Sequence, residues 1–243
     1  NRLSYDGIKC IAEALKHNTS LHHLDLHWVN LGPQGARAIA SVLSFNNSLE
    51  QLQLGGNEIG PEGVVFIAEA LQLNQGLLTL DLSRNRLGAQ GISAIGDGLS
   101  HNTTLRALNL KVNNLKPDSA YAITHLLGSC THLHKLDLSW NLFGPQGGKA
   151  IGEGLAVNHS LQELILTTCD LKYGGGLPIV EGLNANSTLK VLDVTTNNMD
   201  YKSVTLLAQT FHAHRSLHTL LVSEGNFIRQ EDIALIQTKA TCC

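Results

Sequence analysis

No stretch of this sequence is long and apolar enough to cross a membrane as a helix. Neither sign of charge is in large excess: 17 basic and 20 acidic residues are well mixed, for a net charge of -3. Such a balance gives no electrostatic drive toward nucleic acid or anionic lipid. The five cysteines, Cys10, Cys130, Cys169, Cys242 and Cys243, contain no CxxC pair, so neither a zinc site nor a redox dithiol is suggested. Their odd number and scattered spacing favour a reducing, cytoplasmic compartment. No signal peptide is visible at Asn1. There is no GxSxG, Walker or HExxH motif, and the twelve histidines follow no ligand spacing. The glycines of KYGGGLP (172–178) are not followed by a lysine, so they do not form a phosphate loop. What remains is 43% hydrophobic content, enough for one sizeable core or an elongated array.

The array is written in the leucines. Leu21, Leu49, Leu77, Leu105, Leu133, Leu161, Leu189 and Leu217 stand at intervals of 28 residues, without insertion. Each opens a version of LxxLxLxxNxL, clearest in LEQLQLGGNEI (49–59), LLTLDLSRNRL (77–87) and LHKLDLSWNLF (133–143). The fourth column (Leu24, Leu52, Leu80 and onward) and the sixth (Leu26, Leu54, Leu82 and onward) are apolar at spacing two. That spacing makes one buried strand face and turns the residues between them outward. The ninth column holds Asn57, Asn85, Asn113, Asn141 and Asn197, which can pair buried backbone groups of neighbouring units. Val29, Cys169 and Gly225 replace asparagine there, so this ladder is expected to be interrupted in the first, sixth and eighth units. The second half of each unit, as in GPEGVVFIAEAL (60–71), reads as turn and helix, with Ile67 and Leu71 four apart on one face. No unit can bury its apolar face alone; stacked units share a core.

The period, the LxxLxLxxNxLG segment and the GxxGxxxIAxxL helix resemble the ribonuclease-inhibitor-like class of leucine-rich repeats, over the whole chain. The resemblance implies an α/β solenoid, a horseshoe with a parallel sheet inside and helices outside. One domain is expected over 1–243: a partial unit (1–20), seven full units (21–216), and a last unit resembling a C-terminal cap (217–243). Units such as NTSLHHLDL and NTTLRALNL are most similar to those of NOD-like receptors. That similarity implies a sensing or autoinhibitory module, preceded in the full gene by a nucleotide-binding domain with a P-loop. The same class occurs in the Ran GTPase-activating protein, with its acidic tail, and in ciliary and other scaffolds. Ribonuclease inhibitor itself is cysteine-rich and strongly acidic, unlike this chain.

HLDLHW (23–28) is then the strand of the first complete unit. His23, Asp25 and His27 line the inner face, and His23 and His27 stand roughly 13 Å apart, too far to share one ion. Asp25 recurs as Asp81, Asp137 and Asp193, with Gln53 and Asn109 between the first three. Two readings stay open: a trace of two-unit duplication, or a functional acidic row. Its members are about 10 Å apart, too far for paired-carboxylate catalysis. Trp28 and Trp140 share a column just past the strand, with Gly56, Arg84 and Val112 between them. Tryptophan and arginine are enriched at binding hot spots, although each Trp could instead lie flat over its loop. Arg84, Arg86, Arg106 and Lys111 are expected to give the third and fourth strands a basic middle, flanked by Asp81 and Asp137. Mixed charge suits a protein or peptide partner better than a nucleic-acid backbone. No residue set supports catalysis, a metal or a cofactor. The sequence-level expectation is a non-catalytic platform for a protein or peptide, with no nucleic acid and no membrane.

The sequons at Asn18, Asn46, Asn102, Asn158 and Asn186 all fall in one column, where Asn and Ser/Thr serve the turn from helix to strand. Their spacing follows the repeat, not glycosylation. Pro178 stands where other helices are in mid-course, so the sixth helix is expected to begin late. Cys242 and Cys243 lack the basic neighbourhood that usually accompanies lipidated cysteines.

Overall fold

The computed structural model describes residues 3–240. Helix α1 (Tyr5–His17) precedes a regular alternation of strands and helices. The strands are β1 (His23–Asp25), β2 (Gln51–Gln53), β3 (Thr79–Asp81), β4 (Ala107–Asn109), β5 (Lys135–Asp137), β6 (Glu163–Ile165), β7 (Val191–Asp193) and β8 (Thr219–Leu221). The helices between them are α2 (Gly32–Leu43), α3 (Gly60–Leu73), α4 (Gly88–Leu99), α5 (Ala120–Ser129), α6 (Gly144–Val157), α7 (Lys172–Ala185) and α8 (Tyr201–Ala213). Helix α9 (Gln230–Ala240) follows the last strand. The strands form one open parallel sheet in chain order. Each residue pairs with its equivalent one unit on, as in Leu24 with Leu52 and Leu52 with Leu80.

The two apolar columns point from the sheet toward the helices. Leu52, Leu54, Leu80, Leu82, Leu136, Leu138, Leu164 and Leu166 are fully buried. From the other side, Ile67, Leu71, Ile95, Leu99, Ile151 and Leu155 meet them, making one continuous core. Burying one such side chain is worth roughly 1.5–3 kcal/mol.

Helices α2, α3, α4 and α6 open on a glycine with positive φ: Gly32, Gly60, Gly88 and Gly144. Pro33, Pro61 and Pro145 follow three of these, where a missing N–H costs nothing. The sixth unit departs from this. Helix α7 is bounded at Lys172, the same register as its neighbours, which corrects the expectation of a late start in those terms. Its first turn is nevertheless broken: Tyr173 has ψ 124° and Gly174 has φ 90°, so regular helix resumes only after Gly174. Pro178 thereby sits near the start of the regular part, where the ring is tolerated. The backbones of α6 and α7 touch. A Cβ on Gly152 would collide with the Pro178 carbonyl, and one on Gly182 with the carbonyl of Gly152.

The asparagine ladder forms. The buried Asn85 amide donates to the carbonyls of Leu54 (2.9 Å), Leu82 (3.0 Å) and Ser83 (3.0 Å). Its Oδ1 accepts the N–H groups of Asn57 (3.0 Å) and Ile59 (3.3 Å). In the sixth unit the Cys169 sulfur reaches the Leu138 carbonyl at 3.4 Å, a weaker version of the same contact. The eighth unit corrects the expected interruption. Asn226, one residue later than the column, donates to Val194 and Val222 and accepts from Asn197 and Met199. Gly225, with φ 62°, makes room for that shift.

A second ladder runs along the other end of the strands. Asn46, Asn74, Asn102, Asn158 and Asn186 are buried, and each donates through Nδ2 to carbonyls of the preceding unit. For Asn102 these are Leu71 (2.7 Å) and Asn74 (3.0 Å), while its Oδ1 accepts from Thr104 and Leu105. His214 takes the same place in the last unit: its Nε2 lies 3.0 Å and 2.8 Å from the Leu183 and Asn186 carbonyls, and the Leu217 N–H donates to Nδ1. Cys130 interrupts this column; burial pushes its thiol up to about 12. The four sequons at Asn46, Asn102, Asn158 and Asn186 thus use their amide nitrogens inside the fold.

Candidate interaction surface

The strands are only three residues long, so the inner face is narrow and the turns at either end contribute much of it. Every acidic member of the Asp25 column has a backbone role. Asp25 accepts from the His27 N–H, Asp81 from Ser83, Asp137 from Ser139 and Asp193 from Thr195, at 2.7 to 2.9 Å. Asn109 does the same for Lys111 at 3.0 Å. A short side chain that bonds the backbone two residues on shapes the exit turn. The recurrence of Asp therefore has a third explanation that neither open reading contained. The His27 backbone and imidazole both hold the Asp25 carboxyl below its ordinary value.

His27 fills the gap between two members of the row. Its Nδ1 lies 2.8 Å from Asp25 Oδ1 and its Nε2 3.6 Å from Asp81 Oδ2. The ring occupies the space over Gly55, where a Cβ would come within 2.5 Å of it. Asn109 continues the row by donating to Asp81 Oδ2 at 2.8 Å. Asp25, His27, Asp81 and Asn109 thus form one polar chain across four strands. His23 is exposed on β1 at the far end of that strand, and Gln53 is half-buried between Asp25 and Asp81. Among the described residues no cluster of three or more His, Cys, Asp or Glu has metal-binding geometry.

Beyond the strands, the next column turns sharply. Trp28, Gly56, Arg84, Val112, Trp140, Thr168 and Thr196 all have φ between 56° and 70°. The left-handed conformation belongs to the turn itself, because bulky and β-branched residues adopt it here alongside glycine. It lifts the side chains outward: Trp28 is 60% exposed and Trp140 54%. Trp28 lies flat over Gly56, with the Arg84 guanidinium 5.9 Å from its ring centroid. A Cβ on Gly56 would stand 2.5 Å from the indole, so glycine is what lets the ring lie down. Arg86, in the same column as Glu58, is 3.4 Å from it. Trp28, Asn30, Glu58, Arg84, Arg86 and Val112 border an open cleft of about 380 Å³.

Trp28 and Trp140 therefore stand on the exit turns just past the strands, and Arg84 and Arg86 stand on those turns with them, not in the middle of the third strand. The expected basic middle is thus corrected. Arg106 precedes β4, at the opposite end of the strands from Arg84, where its Nη1 donates to the carbonyls of Thr103, Leu105 and His132. Lys111 is half-buried in the turn after β4. Missed at the sequence level was the column just before each strand, which carries Arg106, His134, Gln162 and Lys190 in adjacent units. Reading that column for charge, as was done for the Trp column, would have found it.

The sequence pattern of the Leucine Rich repeat family matches residues 17–40, 45–68, 73–96, 101–123, 129–152 and 185–208. These segments make up more than half of the chain, which belongs to the leucine-rich repeat family. Repeats of this family generally serve as non-catalytic protein-binding modules. No curated protein matches the sequence. Among solved structures, the C-terminal domain of Caenorhabditis elegans tropomodulin is 13% identical, with 74% of this chain and 92% of that one covered and a TM-score of 0.45. TLR13, in a complex with ssRNA13, is 19% identical, with a TM-score of 0.48; the match covers 93% of this chain and 32% of that chain.

Proposed function

We propose that the exit turns and the adjoining inner strands bind a protein or peptide partner, and that the chain is the sensing or autoinhibitory part of a NOD-like receptor of the ribonuclease-inhibitor-like class, in the cytoplasm. The observation that carries the surface is the pair of tryptophans held more than half exposed in one column. Trp28 is backed by Gly56 and Arg84 in a rigid turn. A large aromatic already packed against its own turn, as Trp28 is, loses less entropy on binding than a free one, which favours a hot spot. The row Asp25, His27, Asp81 and Asn109, with Asp137 and Asp193, supplies polar specificity beside it. The 28-residue unit with a helix in every repeat supports the class, and the NTSLHHLDL-type segments support the receptor assignment.

The test is a pull-down comparing wild type with a Trp28→Ala, Arg84→Ala, Trp140→Ala variant of matched thermal stability. Partners retained by wild type and lost by the variant are expected. Equal binding by both would reject the surface. The receptor assignment falls separately if the full gene encodes no P-loop nucleotide-binding domain upstream.

A further inference from the structure

We infer that the opposite edge of the sheet, where Arg106, His134 and Lys190 stand in one column before their strands, binds an acidic peptide segment of a partner protein. This site is distinct from the tryptophan edge and does not depend on it. The column runs one residue ahead of successive parallel strands, so Arg106 and Lys190 are three strand intervals, roughly 14 Å, apart. They face a groove of about 510 Å³ that His132, His159 and the hydroxyls of Ser160 and Thr188 also line. Among the described residues no carboxylate lines it. Glu163, on β6 beside the column, is held by Lys135 at 2.7 Å. The groove therefore presents two permanent cations and three imidazoles with no counter-charge of its own, while the hydroxyls of Ser160, Thr188 and Ser216 already donate within the fold.

The scaffold under these groups is fixed. The N–H of His134 donates to Arg106, that of Gln162 to His134, that of Lys190 to Gln162 and that of His218 to Lys190, at 2.8 to 3.0 Å. The Arg106 side chain is pinned through Nη1 to three carbonyls. A preordered row of donors loses little freedom on binding. A row of groups spanning roughly 14 Å fits an extended chain, whose alternate side chains repeat about every 6.8 Å, better than a single small ion. Nucleic acid is the other polyanion to consider. Among the described residues no Phe, Tyr or Trp lines the groove to stack on bases, and the chain as a whole carries a net charge of -3. His134 reports the unbalanced field: partial burial, then Arg106, Lys190 and His132, hold its imidazolium below the ordinary value. An anion seated in the groove should reverse that shift.

The probe is a fluorescein-labelled decaglutamate peptide, followed by anisotropy at low and at physiological salt. Wild type is expected to bind it, more weakly as salt rises. Arg106→Gln with Lys190→Glu should lower the affinity at least about tenfold, while Lys149→Glu with Lys202→Glu, on the outer helices, should change it less than about twofold. Lys190→Glu alone, at an exposed position, carries the test if the double variant melts early. An NMR titration should show the His134 pKa rising when the peptide is added. No binding by wild type at low salt, equal loss in both double variants, an unmoved His134 pKa, or tighter binding of single-stranded oligothymidine than of the peptide would each overturn the assignment.

Discussion

Replacing Cys169 with asparagine should stabilise this protein. In a regular unit the asparagine amide donates to carbonyls of its own and the preceding unit and its oxygen accepts two N–H groups, as Asn85 does. At Cys169 the only donor is a thiol, 3.4 Å from the Leu138 carbonyl and 3.7 Å from that of Thr167. The N–H of Asn141 faces sulfur instead of oxygen. Burial pushes the thiol pKa up, so no thiolate strengthens the contact at neutral pH. Supplying an amide gives the Leu138 carbonyl a strong donor and the Asn141 N–H a strong acceptor. At a net 0.5–1.5 kcal/mol per hydrogen bond, the gain should be about 1–2 kcal/mol. For a chain of this size that raises the melting temperature by roughly 2–4 °C per kcal/mol. The reciprocal change, Asn85→Cys, leaves the Asn57 and Ile59 N–H groups without an oxygen and should cost about 2–4 kcal/mol. Thermal and urea unfolding would be followed by circular dichroism and tryptophan fluorescence together, because repeat arrays can lose cooperativity. A neutral or destabilising Cys169→Asn alongside an Asn85→Cys that costs under about 0.5 kcal/mol would refute the energetic role given to the ladder.

Two further outcomes follow from contacts already described. Gly152→Ala should destabilise by about 1–3 kcal/mol, since its methyl meets the Pro178 backbone and not a flexible side chain. Gly128→Ala in α5, with open space around it, should be neutral or gain up to about 1 kcal/mol; urea midpoints of the two variants compare them directly. Asp81→Asn keeps the acceptor for the Ser83 N–H and should cost less than about 1 kcal/mol, whereas Asp81→Ala should cost about 1–2 kcal/mol. Equal melting temperatures for the Asn and Ala variants would argue against the turn-shaping role of this column.

Much of the fold was legible because the chain repeats it. Leucines at spacing two and an isoleucine–leucine pair at spacing four leave one face for each element, and the fixed interval aligns the faces. The sequence also showed where asparagine fails in its column. It did not show that Asn226 takes over one residue late, because that depends on Gly225 adopting a left-handed turn. It marked Asn102 and its equivalents as turn residues, but their bonds to carbonyls of the preceding unit appear only when the units stack. His214 in the same role is invisible to any search for asparagine. At the surface, the second and eighth columns of a unit lie at opposite ends of a three-residue strand, which is why Arg84 and Arg106 looked like one basic patch and are not.

Both ladders point backward along the chain. Asn57 serves the carbonyl of Leu26, and Asn102 that of Leu71, each 31 residues earlier. A unit is therefore chemically finished by the one that follows it. Peeling units from the front leaves asparagine side chains that water can satisfy, whereas peeling from the back strips buried backbone groups of their partners. Growth or loss of such an array is workable only in whole units, and its order of assembly has a direction, as courses of brick laid with each course locking the last.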